Sequence, residues 1–205
     1  MLHKMRLAAL AVLSLNLTAV WGHRVHHNKP SLVPPSTFQC TLNTPAATPV
    51  WSDTTPKIAL THIFCGEIVS SGRAQGFHCL PSGKDPVCVI TSSKCATYRG
   101  FECRSDVKIF NADIKDYVTK TPIIANQLFF TDSIVNTVNY LITLYKSSKC
   151  SSLVAQEKLL CVQDTQKAIA VAMYIVNSSK DILTAYPLRV SDLPSAGCNA
   201  QCMYP

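Results

Sequence analysis

Ten cysteines constrain this chain more than any other feature: Cys40, Cys65, Cys79, Cys88, Cys95, Cys103, Cys150, Cys161, Cys198 and Cys202. All lie downstream of an apolar N-terminal run. An even count in an exported chain predicts as many as five disulfides, which shorten the excursions a chain can make and fix its loops. Zinc is the competing use of so many thiols. No C-x-x-C pair is present, and His62 and His78 each stand beside a single cysteine, so the spacing argues against a zinc site. Which cysteine pairs with which stays open at this level.

The export reading rests on the first residues. "MLHKMR" carries Lys4 and Arg6, "LAALAVLSLNLTAVW" is too short for a comfortable membrane span, and "VWG" offers small residues for cleavage. Residues 1–22 are therefore expected to be a signal peptide and the mature protein to be secreted, with no membrane partner. The formal charge is +7, and loss of Lys4 and Arg6 leaves +5. That mild basicity suits a polyanion. "NSS" at Asn177 is an acceptable glycosylation site.

Residues 23–57 are rich in Pro, Thr and Ser and read as an extended leader with little structure of its own. The "HRVHH" at its head, with His23, His26 and His27, reads as a solvated tail. From Ile58, "IALTHIFCGEIV" alternates loosely and predicts one strand or two short ones. "SSGR" breaks it and "AQGFHCL" resumes it. Residues 81–107 hold three cysteines and many turn formers, and read as a stapled irregular insertion. "VKIFNADIKDYVTK" offers short strand-like runs. "TDSIVNTVNYLITLYK" is the clearest helix, with Thr131 or Asp132 as its cap and Ile134, Val138, Leu141 and Tyr145 on one stripe. "KAIAVAMYIV" and "ILTAYPLRV" flank the polar "NSSKD" and predict an antiparallel hairpin. The pattern is α+β with mainly antiparallel sheet.

Of six histidines, only His62 and His78 lie in the body of the chain, in "THIFCGEIVSSGRAQGFHC". Two imidazoles can divide general-acid and general-base work, since each titrates near neutral pH. Transesterification of RNA needs such a pair and no cofactor: a base takes the ribose 2′-OH proton, and an acid protonates the leaving 5′-oxygen. A lysine or arginine and backbone N–H groups then stabilise the charged phosphoryl oxygens. Gly66, Gly72 and Gly76 would let backbone approach a phosphate. The plain alternative is a turn between two structural histidines.

"HIFCGEI" followed by "GRAQGFHC" resembles the paired-histidine signature of the EndoU endoribonucleases, a superfamily with bacterial toxin, animal and nidoviral branches. The match covers His62, Ile63, Gly66, Glu67 and Ile68, then Gly72, Ala74, Gly76, Phe77 and His78. "YVTKTPIIANQLFFTDSIVNTVNYL" is similar to the family's lysine-bearing segment and the helix after it. Phe129 and Phe130 keep its aromatic pair, but Leu128 and Thr131 depart from the hydroxyl and proline found in the bacterial branch. "ILTAYPL" resembles the family's closing strand.

The resemblance covers residues 58–190, leaving 191–205 as a C-terminal tail that Cys198 and Cys202 are expected to tether. It implies two small antiparallel β-sheets flanked by helices. It implies His62 and His78 as the acid–base pair, with His78 taken as the base and the order left open, and Lys120 as the electrostatic stabiliser, with Lys115 the runner-up. Thr184, Tyr186 and Gly76 become substrate-binding residues, Tyr186 by stacking on a uracil base. Glu67 is expected to make a local structural hydrogen bond.

The activity implied is cleavage of single-stranded RNA at uridylates, leaving a 2′,3′-cyclic phosphate, in a monomeric toxin or effector with a cognate inhibitor protein as a further partner. No bound metal or cofactor is expected, although some family members depend on manganese. The rival reading is a catalytically inactive, cysteine-stapled secreted binding protein on the same scaffold.

Overall fold

The computed structural model describes residues 31–46, 49–98, 101–121, 126–147, 158–198 and 201–205. The signal reading over 1–22, the cluster at His23, His26 and His27, and Cys150 lie outside them. The described chain is mostly strand. It forms five small sheets, with one α-helix of more than two turns among the described residues. This corrects the expected α+β arrangement of two antiparallel sheets flanked by helices: the described residues are mainly β, and their one long helix flanks no pair of sheets.

Strands β1 (Ser31–Val33) and β2 (Val50–Ser52) pair in parallel. The leader thus has regular structure from Ser31 onward. It is anchored by Phe38, 8% exposed in the core, and by a Cys40–Cys65 disulfide. Strands β3 (Glu67–Ile68) and β4 (Ala74–Gln75) form a short antiparallel pair. The stretch 81–107, expected to be irregular, carries three strands after β5 (Cys79–Pro81): β6 (Val89–Thr91), β7 (Lys94–Tyr98) and β8 (Phe101–Arg104). A Cys95–Cys103 disulfide staples β7 to β8. Buried Val89 on β6, and buried Phe101 and Cys103 on β8, are the inward-facing residues that the turn formers between them obscure in the sequence.

The expected strand-like runs are β9 (Val107–Asn111) and β10 (Asp116–Thr119), which pair antiparallel, with β6 on the other side of β9. Strand β11 (Asn126–Thr131) lies between β5, to which it runs parallel, and β8, to which it runs antiparallel.

The predicted helix is α1 (Ile134–Lys146). Its cap is Ser133, one residue beyond the two expected, whose hydroxyl accepts from the Asn136 N–H at 3.2 Å. Such a cap contributes about 1 kcal/mol. Val138, Leu141 and Leu144 are fully buried, and burial of each Leu is worth roughly 2–3 kcal/mol.

The predicted hairpin is β13 (Ile169–Ile175) with β14 (Ile182–Leu188), and Asn177 stands exposed in its turn. β12 (Leu159–Asp164) joins β13 on its other side. β15 (Gln201–Tyr204) then pairs in parallel with β12. β13 is buried on both faces except at the exposed Tyr174. Ile169, Val171, Met173 and Ile175 enter the main core, while Ala170 and Ala172 face a second, smaller cluster around Cys161, Cys198, Leu188 and Leu193.

A Cys161–Cys198 disulfide ties the tail to β12, and Cys202 is also disulfide-bonded. Cys79 and Cys88 are buried free thiols, so the expected five bridges reduce to at most four. No described helix is long and apolar enough to cross a membrane.

Candidate active site

His62 does not sit on a strand. Residues Thr61–Cys65 form a single wide helical turn, in place of the strand expected from the loose alternation of "IALTHIFC". Thr61, Ile63, Phe64 and Cys65 are buried, leaving His62 as the residue of the turn that faces outward. Gly66 ends the turn at φ 72°, a left-handed conformation that glycine adopts without steric cost. A Cβ there would collide with Ile109 Cδ1.

The second histidine is brought to the first by backbone. Gly76 and Phe77 are consecutive left-handed residues, at φ 70° and 56°, between β4 and β5. The Phe77 N–H donates to the His62 carbonyl and the His78 N–H to the Ile63 carbonyl, each at 2.7 Å. Gly76 lies so close to the first turn that an added Cβ would strike the His62 carbonyl oxygen. The close approach made by Gly76 is thus to the neighbouring protein backbone. Gly72, also at positive φ, has open space around it. The outcome is two imidazoles with centroids 5.5 Å apart and planes tilted by 36°.

The Glu67 carboxylate meets His62 Nδ1 at 2.9 Å. This is the local hydrogen bond expected of Glu67, and its partner is the candidate catalytic residue itself. It leaves Nε2 as the ring nitrogen open to a further partner. The hydrogen bond to His62 outweighs partial burial and holds the Glu67 carboxyl below its usual pKa.

His78 is half-buried, and its carbonyl accepts from the Phe129 N–H of β11 at 2.8 Å. Burial, then the charges of Lys120 and His62, keep its pKa well below the ordinary imidazole value.

Lys120, read from sequence as equally able to be a solvated surface lysine, is 9% exposed. Its backbone is fixed by an N–H donated to Val107 and by a bridge to Ala74. Its Nζ donates to the Phe77 carbonyl at 3.4 Å, and burial lowers its pKa to about 8. Lys115 stands exposed at the tip of the β9–β10 hairpin, outside this group.

Tyr186 arrives from β14. Ala59 donates to the Ile182 carbonyl and Ile182 to the Lys57 carbonyl, so the start of β14 runs beside the segment that leads into the His62 turn. Tyr186 then packs on His78 with centroids 5.3 Å apart, tilted by 33°. Burial pushes its phenol up to about 12. Thr184 lies two residues earlier on the same strand face. Its Oγ1 is buried without a hydrogen-bond partner, as are Asn126 Oδ1 and Gln127 Oε1 on β11.

The structure therefore brings His62, His78, Lys120 and Tyr186 into one group, with Glu67 behind His62. The Glu67 pairing was visible in sequence only as a carboxylate five residues after a histidine, across a glycine.

A manganese ion would ask for several oxygen ligands. The group offers Glu67, whose Oε1 is held by His62. The one cluster of three metal-ligating side chains among the described residues is Cys40, Cys65 and Cys88, two of which form a disulfide. These residues do not fit the ion. No family model, no curated protein and no solved structure matches this chain.

Proposed function

We propose that this protein is a secreted endoribonuclease of EndoU type that cleaves single-stranded RNA by attack of a ribose 2′-OH on the adjacent phosphorus. The observation that carries the reading is the convergence of His62 and His78, whose rings lie 5.5 Å apart, a spacing that can flank one phosphate. Secretion is supported by the three disulfides among the described residues.

His78 is the general base. Its surroundings keep the ring neutral at pH 7, the state that accepts a proton. His62 is the general acid, and the Glu67 carboxylate on Nδ1 is the partner a protonated imidazole takes. As the 2′-oxygen attacks, negative charge grows on the phosphoryl oxygens, and the Lys120 ammonium stabilises it. His62 then delivers a proton to the 5′-oxygen, leaving a 2′,3′-cyclic phosphate. Tyr186 offers a ring on which a base stacks, and Thr184 a buried hydroxyl with an unused hydrogen bond. Uridylate preference follows the resemblance.

The test uses a short RNA with a single uridine and its 2′-deoxyuridine counterpart. The protein is expected to cut the first, release a cyclic phosphate and spare the second, which lacks the nucleophile. His62→Ala and His78→Ala are each expected to lower the rate by roughly 10²–10⁴-fold. Binding of RNA with no cleavage would replace this reading with the inactive, cysteine-stapled binding protein.

A further inference from the structure

The sulfur atoms of Cys40, Cys65 and Cys88 all lie within 4.8 Å of one another. Two of them are bonded as the Cys40–Cys65 disulfide, and the third is a free thiol. Cys88 Sγ stands 3.7 Å from the Cys65 carbonyl oxygen, and its own backbone is pinned by the Phe110 N–H at 2.8 Å. A thiol held against a disulfide is the reactant arrangement for exchange. We propose that Cys88 exchanges with this bridge, forming Cys65–Cys88 and releasing Cys40 as a thiol.

The step balances without an added oxidant or reductant. The Cys88 thiol gives its proton to solvent, and its sulfur bonds to Cys65 Sγ. The Cys40–Cys65 bond breaks, its electron pair leaves on Cys40 Sγ, and that sulfur takes up a proton. One thiol and one disulfide stand on each side.

Position decides which sulfur departs. Cys65 is fully buried at the end of the His62 turn and cannot withdraw. Cys40 is half-exposed, and residues Thr37, Phe38, Gln39, Thr41, Asn43 and Thr44 on either side of it border a cavity of about 280 Å³. That space lets the freed segment move.

The exchange changes what the His62 turn is tied to. Before it, Cys65 holds the leader; after it, Cys65 holds the residue that precedes β6, and the leader keeps only its noncovalent contacts. Burial raises the Cys88 thiol to about 11, which makes the step slow at neutral pH. The expected scale is therefore hours.

The experiment uses the full chain in mildly alkaline buffer without added thiol. Samples are quenched with acid at intervals, alkylated with N-ethylmaleimide under acidic denaturing conditions, digested with pepsin without reduction and mapped by mass spectrometry. The expected result is a growing Cys65–Cys88 cross-linked peptide with alkylated Cys40, and a matching loss of alkylated Cys88. A Cys88→Ser variant is expected to lose the Cys40 label, and Cys79→Ser to keep it. Persistence of Cys40–Cys65 with alkylated Cys88 at all times, while a urea-unfolded sample in the same buffer scrambles, would overturn the proposal. So would a Cys40 label that survives in Cys88→Ser. Were either variant to misfold, the time course of the unmodified protein would decide alone.

Discussion

The Lys120 ammonium donates to the Phe77 carbonyl across 3.4 Å from a position where burial lowers its pKa to about 8. An unfolded lysine titrates near 10.4, so the unfolded chain holds this proton more tightly. Below about pH 8 the difference costs the folded state up to about 3 kcal/mol, and the cost is relieved as pH rises from there to 10.4. Lys120→Met is expected to raise the urea midpoint at pH 7 and to lose that advantage at pH 10.4. Its RNA cleavage is expected to fall much further than its RNA affinity. A Met variant less stable than the parent at pH 7 would show that the buried charge is better compensated than its surroundings indicate.

His78 gives a second pH signature. Its folded pKa lies well below the ordinary imidazole value, so between the two the unfolded state binds the proton and the native state does not. Stability is expected to fall as pH drops from about 6.5 toward the folded value. In the proposed reaction the same displacement would set the acid limb, because the base must be neutral. The acid limb of kcat/KM is expected well below pH 6.5, and the basic limb no higher than about 8, where Lys120 loses its charge. An acid limb at 6.5 would assign the base to another group.

Of the three glycines between the histidines, Gly72 and Gly76 are expected to behave differently. Gly76→Ala puts a methyl group against the His62 carbonyl oxygen in a left-handed conformation, and both native contacts must give. Gly72→Ala adds only the conformational cost, about 1–2 kcal/mol, since nothing surrounds it. Urea denaturation of both variants is expected to show the larger loss at Gly76, with cleavage lost as well. Equal losses would mean that the His62 turn relaxes away from β4 without difficulty.

In the proposed reaction Glu67 would act through His62, as a positioning residue. Glu67→Gln keeps a hydrogen-bonding side chain but removes the anion. It is expected to lower kcat with little change in KM, and Glu67→Asp to restore part of the rate. A variant that alters KM alone would place Glu67 on the RNA-binding surface instead.

The elements legible in the sequence are those whose signal is local. The stripe of α1, the polar turn between β13 and β14, and the short runs of β9 and β10 each carry their own periodicity. The His62 turn is different: Ile63, Phe64 and Cys65 read as strand, but the segment is bent by the left-handed Gly66 and cross-linked to Cys40. The helix-flanked architecture came with the resemblance and not from periodicity, which offers only one long helical stripe. The free state of Cys79 and Cys88 was not legible either, since pairing depends on which strands meet. The burial of Lys120 has the same origin. It is set by Val107 and Ala74, distant in sequence, and not by any apolar pattern around the lysine.

Phe77 has its side chain fully buried, yet its N–H meets the His62 carbonyl and its own carbonyl meets Lys120. A single residue is thus shared between the oily interior and the candidate catalytic group. An evolving lineage could not tune the two separately. Replacements elsewhere in the core that are harmless with Phe77 in place would become damaging with a smaller residue there, because any shift at position 77 moves two backbone groups that hold the histidines and the lysine. Strong epistasis centred on position 77 is the evolutionary footprint such a residue would leave.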